Sequence, residues 1–240
     1  MKPIRKRRPP EDFAERRGDH PHVEWESRAF KTKVKRSLRH KLVEEQGFIC
    51  CYCNGRITEA TSHVEHLKPR SLFPELDLSY WNLLASCGGS RSEQGLKNAP
   101  IHCGPAKGNW YDEEQFVSPL MRDCRRYFRF LASGQIEPAP GLSPEEKSRA
   151  ATTIEILRLN HPSLVRRRGE ALRVLTMMAR DVMRGKLTAE ELARRASLWT
   201  KRDRQGRYAE FTTALVYLWA RVIGPRLMAP KAKRERAPAS

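Results

Sequence analysis

The order and spacing of four cysteines constrain this chain more than any other feature. Cys50 and Cys53 form a C-x-x-C pair, Cys87 follows, and Cys103 lies beyond an interval (88–102) that holds Gly88, Gly89, Ser90, Ser92 and Gly95. Two thiolates on one tight turn reach a single tetrahedral Zn²⁺, and two more from elsewhere complete it. Cys50, Cys53, Cys87 and Cys103 are therefore the candidate ligands of a structural Zn²⁺. Four protein ligands leave no open position, so such an ion braces the fold and does no chemistry. Alternatives stay open at this point. Cys51 adjoins the pair, His102 competes with Cys103, and buried free thiols would carry the same spacing. Cys124 sits in an apolar and aromatic stretch and reads as core.

Around this knuckle the pattern divides. Phe30, Val34, Leu38 and Leu42 recur every fourth position, which predicts a helix over 27–46 stopped by Gly47. From Phe48 to about Phe130 short apolar pieces alternate with Gly, Pro, Asn and Cys; His63–Leu67 and Tyr80–Ala85 are candidate strands flanking a Pro-marked loop. Ser143-Pro144-Glu145-Glu146 and Thr188-Ala189-Glu190-Glu191 are capping boxes that open helices in the last third. A helix over Leu164–Met183 and a final one over about Tyr208–Val222 follow. The expected organisation is a disordered basic arm (1–26), a core with a zinc knuckle (27–140), a helical region (141–224) and a disordered basic tail (225–240). The fold class is α+β.

Charge narrows the partner. Lys and Arg number 46 against 28 Asp and Glu, a net charge of +18, and such a field attracts polyanions, nucleic acid foremost. Phosphate contacts would make binding strongly salt-dependent. No run of about eighteen apolar residues exists, so no membrane span is expected. The basic start lacks the apolar stretch of a secretory signal, and six cysteines suit metal or free thiols in a reducing compartment. The expected location is the cytoplasm.

The chemistry-bearing residues fall in one order: C-x-x-C, then His63-Val64-Glu65-His66 with Pro69, then Trp81-Asn82-Leu83-Leu84, then Cys87, then Cys103 to Asn109. That arrangement resembles the HNH endonucleases, in which two strands and a helix surround a metal, a ββα-metal core often braced by four cysteines in treble-clef-like fashion. The strings 44–53, 64–71, 81–87 and Phe116-Val117-Ser118-Pro119-Leu120 are similar to the HNH nucleases of bacterial antiphage systems, those of retrons and PtuB of the Septu system. The likeness runs over roughly 30 to 165.

The resemblance implies a metal-dependent endonuclease that cleaves DNA phosphodiester bonds. Glu65 would hold a catalytic Mg²⁺ or Mn²⁺, His66 would be the general base, and Asn82 would orient the loop that carries it. Lys68, Arg70 and Lys107 would meet DNA. The family's further His or Asn ligand after the last cysteine has no direct counterpart here; Asn109, Asp112 and His102 are the candidates, with Asn109 preferred. An ATPase subunit of the PtuA kind is the implied partner, docking on the C-terminal helical region with its Met177, Met178 and Met183. Two other readings use the same residues: a non-catalytic zinc module that binds nucleic acid or protein, and an RNase on the same scaffold.

Overall fold

The computed structural model describes residues 1–19, 25–27, 32–88 and 101–228. The expected tail beyond Met228, the helical position of Phe30 and the glycine-rich interval 89–100 lie outside the described residues.

The amphipathic helix forms as α2, Thr32–Glu45, burying Val34, Leu38, Leu42 and Val43. Gly47 follows with φ of 69° and ends it as expected. The chain then turns tightly at Cys50–Gly55: the Cys50 N–H donates to Gly55 O at 2.9 Å, and Ile49 bridges Arg56. Strands β1 (Ser62–His66) and β2 (Leu83–Cys87) pair antiparallel, with Glu65 opposite Leu84 and His66 opposite Leu83. Tyr80–Asn82, expected to begin the second strand, is a 3-10 turn, because the Asn82 N–H is drawn back onto Ser79 O at 2.8 Å. A single-turn helix, α3 (Gly104–Lys107), completes a strand–strand–helix unit.

A second hairpin, β3 (Phe128–Phe130) and β4 (Ile136–Pro138), leads into the helices. These are α4 (Pro144–Ile156), α5 (Pro162–Met183), α6 (Ala189–Leu198) and α7 (Thr212–Leu218). Both predicted capping boxes form, on Ser143 and Thr188. The last helix starts at Thr212, later than expected, because backbone N–H groups of Tyr208 and Phe211 are taken by Gly47 O and Asn54 O. It continues through a π-turn (Trp219–Ile223) into α8, Gly224–Met228. Among the described residues no helix is long and apolar enough to cross a membrane.

Two expectations are corrected. Residues 1–19 do not form a disordered arm. Ile4 N–H bonds Pro119 O, the Lys6 ammonium pairs with buried Glu45 at 2.9 Å, and Phe13 is buried against Tyr80 on helix α1, Glu11–Asp19. The basic composition hid one apolar anchor and one buried carboxylate partner. Nor do the C-terminal helices stand apart from the knuckle, since one apolar cluster runs through both. Thr213 Oγ1 donates to Asn54 Oδ1 at 2.6 Å, and Arg202 donates to Glu44 O and Glu45 O.

Candidate metal centre and active-site recess

The knuckle, the end of β2 and the start of α3 bring four thiols together. The sulfurs of Cys50, Cys53, Cys87 and Cys103 all lie within 4.8 Å of one another, and all four residues are buried. Cys53 and Cys87 sulfurs are 3.9 Å apart, close to the roughly 3.8 Å edge of a tetrahedron with Zn–S bonds of about 2.3 Å. His102 lies alongside, its Nδ1 3.4 Å from the Cys103 sulfur, and the Cys103 sulfur is the fourth member of the cluster. Cys51 and Cys124 are buried outside the cluster.

The surroundings suit thiolates. Backbone N–H groups of Gly55 and Cys87 donate to the sulfurs of Cys53 and Cys50 at 3.3 and 3.4 Å. Arg168 of α5 is fully buried. It donates to Gly134 O and Leu159 O, yet its Nη1 has no hydrogen-bond partner among the described residues. Burial pulls its pKa down to about 10, while the sulfurs of Cys53 and Cys103 act the other way. A buried guanidinium without a carboxylate demands negative charge nearby, and four thiolates around one divalent ion carry it. The donor set therefore fits Zn²⁺.

At the far end of β1 lies a recess of about 550 Å³ lined by Glu65, His66, Arg70, Asp77, Gly108 and Asn109, among others. Glu65 and His66, neighbours on a strand, point to different sides. The Glu65 carboxylate turns inward, where Oε1 accepts from Tyr52 OH at 3.0 Å and pairs with Lys107 Nζ at 3.1 Å. Its Oε2 lies 3.1 Å from His63 Nε2. Burial raises the Glu65 pKa, but His63 and Lys107 outweigh it, and the net shift is downward.

His66, at the strand's end, places Nε2 2.9 Å from Asp77 O and 3.2 Å from Asp77 Oδ1, with Trp25 edge-on at 5.3 Å. A carbonyl only accepts, so Nε2 carries the hydrogen and Nδ1 keeps its lone pair. Burial lowers the His66 pKa, opposed by Asp77. Asn82 is buried beneath the 68–77 loop. It accepts from the Lys68 N–H at 2.8 Å and donates to Lys68 O and Leu76 O.

The expected DNA contacts separate. Lys68 reaches Glu113 at 3.1 Å and Arg70 reaches Glu26 at 3.0 Å, both near the surface. Lys107 departs from expectation. Its ammonium is buried, held by Glu65, His66 O and Gly108 O, so it organises the recess from inside. Asn109 is exposed at the rim. Tyr52, His63, Asp77 and Arg168 were not singled out from the sequence. The strand's two-residue alternation already put His63 on Glu65's face; nothing local marked Asp77 or Arg168.

No family model matches the chain. A protein of Vibrio cholerae serotype O1 biovar El Tor, described as "Retron Vc95 putative HNH endonuclease", is 32% identical over 134 residues. That match covers 55% of this chain and 61% of that protein. The chain is similar to a retron HNH endonuclease. The likeness points to a nuclease.

Proposed function

We propose that this chain is a metal-dependent endonuclease that hydrolyses DNA phosphodiester bonds, with His66 as the general base. The observation that carries the reading is the fixed imidazole at the open end of β1: Nε2 is spent on Asp77 O, while the ring borders a recess flanked by Arg70 and Asn109. Burial favours the neutral ring at physiological pH, the form that accepts a proton from water. Asn82 keeps the loop that carries Asp77, the partner of His66, in place through Lys68 and Leu76. Lys68 and Arg70 offer charge to the DNA backbone, each released from a surface carboxylate.

A divalent Mg²⁺ or Mn²⁺, when bound, would neutralise charge on the scissile phosphate and its leaving oxygen. Glu65 would hold it through Oε2, since Oε1 is committed to Tyr52 and Lys107; Asn109 stands at the rim as a further donor. A cytoplasmic setting and an ATPase partner belong to the same proposal. The apolar surface for that partner would be Val174, Met177 and Met183 of α5, which are exposed.

The commitment of Glu65 to Lys107 favours a second reading, a zinc module without catalysis. Cleavage of supercoiled plasmid with Mg²⁺ or Mn²⁺, wild type against His66→Ala, separates the two. Nicking that is lost in the variant supports the nuclease; equal nicking by both sinks His66 as base. Inertness of wild type on plasmid, single-stranded DNA and tRNA alike, with and without an ATPase encoded beside it, favours the module. Cutting of tRNA alone would make it an RNase.

A further inference from the structure

β1 carries two potential metal donors on one face, and α3 begins with a residue that has no side chain. His63 Nε2 and Glu65 Oε2 lie 3.1 Å apart. A Cβ built on Gly104 would fall 2.3 Å from that oxygen and 2.6 Å from that nitrogen. Any other residue at 104 would collide with the pair, so glycine is what allows both donors to lean over the helix start. Gly104 is also fixed in place, its N–H donating to Ser86 Oγ at 3.1 Å.

The two donors differ usefully in setting. Glu65 is buried and oriented by Tyr52 and Lys107, whereas the His63 side chain is 37% exposed. One anchored carboxylate oxygen beside one nitrogen of a part-exposed imidazole supplies two ligands, and water would complete the shell of an octahedral ion. Adjacent ligands at about 2.1 Å on an octahedral ion are about 3.0 Å apart, which matches the observed separation.

We propose that His63, with Glu65, binds a divalent cation over the start of α3 at Gly104, and that the site prefers Mn²⁺ to Mg²⁺. The preference follows from the donor set, because an imidazole nitrogen suits a first-row transition ion better than Mg²⁺, which favours oxygen ligands throughout. The use of that ion in cleavage rests on the nuclease reading; the site rests on the geometry of β1 and Gly104.

The test titrates zinc-loaded protein with Mn²⁺ in the absence of DNA, following binding by electron paramagnetic resonance and the ligand nitrogen by electron–nuclear double resonance. Wild type should bind one Mn²⁺ with a coordinated-nitrogen coupling. His63→Ala should lose that coupling and weaken Mn²⁺ binding by at least about tenfold, since even outer-shell changes cost that much. Zinc content and melting temperature serve as controls for folding. His66→Ala should keep the coupling, which separates the ligand from the base. Absence of Mn²⁺ binding, absence of nitrogen coupling in wild type, or its survival in His63→Ala would each overturn the assignment. A protein that binds Mn²⁺ as described yet cuts no nucleic acid would overturn the nuclease reading alone.

Discussion

Asn82 pairs with Lys68 as one strand pairs with another: its side-chain oxygen accepts the Lys68 N–H at 2.8 Å and its amide donates to Lys68 O at 2.9 Å. A third bond reaches Leu76 O at 3.2 Å, so one buried amide spans the loop that carries Asp77, the partner of His66. Asn82→Ala would leave these backbone groups without that partner, at a cost of about 1–3 kcal/mol. Cleavage should fall with little change in zinc content. A variant that melts and cuts like wild type would remove Asn82 from any positioning role.

Gly104→Ala tests the tight contact above α3. The added methyl must displace Glu65 Oε2 and His63 Nε2, and overpacking of this kind costs about 1–3 kcal/mol. Mn²⁺ binding should weaken sharply. Wild-type affinity in this variant would mean that the pair has room to move without loss.

Removal of zinc should be felt well beyond the knuckle. Cys53→Ser or Cys87→Ser should lower the metal content from one zinc per chain and loosen the contact of Asn54 with Phe211 and Thr213. Metal analysis together with hydrogen exchange at residues 208–215 would read both effects. Full zinc content in both variants would contradict the four-cysteine centre.

Arg168→Met keeps the bulk of the side chain and removes its charge. With four thiolates nearby, loss of the cation should accelerate zinc release to a colorimetric chelator. The converse result, slower release, would show that the guanidinium opposes the metal and does not balance the sulfurs.

Lys6 supplies a pH dependence. Burial lowers its pKa to about 8, against the attraction of Glu45, while an unfolded lysine titrates near about 10.4. Between those values the unfolded chain holds more protons, so this group's contribution is fully present above the unfolded pKa and is lost as pH falls through about 8. The stability of wild type relative to Lys6→Met should therefore rise between about pH 8 and pH 10. Parallel urea midpoints across that range would show that Lys6 titrates as it does in the unfolded chain.

Much of this architecture was written locally. The cysteine spacing, the capping boxes at Ser143 and Thr188 and the Gly47 stop each depend on a few neighbouring residues, and each forms. What escaped depends on distant partners. Arg168 ends a run of three arginines, 166–168, and is buried because Gly134 O and Leu159 O meet it there. Lys107 looked like a phosphate contact and instead neutralises Glu65. Lys6 sat in a run that read as disordered, and its partner is 39 residues away in sequence. Charge was legible as a sum and not as an assignment of sides.

Cys87 closes β2 and Cys103 precedes α3, so the interval between them is bounded at both ends by cysteines of one buried cluster that could hold a metal. With the ion in place, a protease that cut between residues 88 and 101 would produce two polypeptides on a denaturing gel and one particle in solution. The metal would act there as a reversible cross-link, undone by a chelator as a disulfide is undone by a thiol.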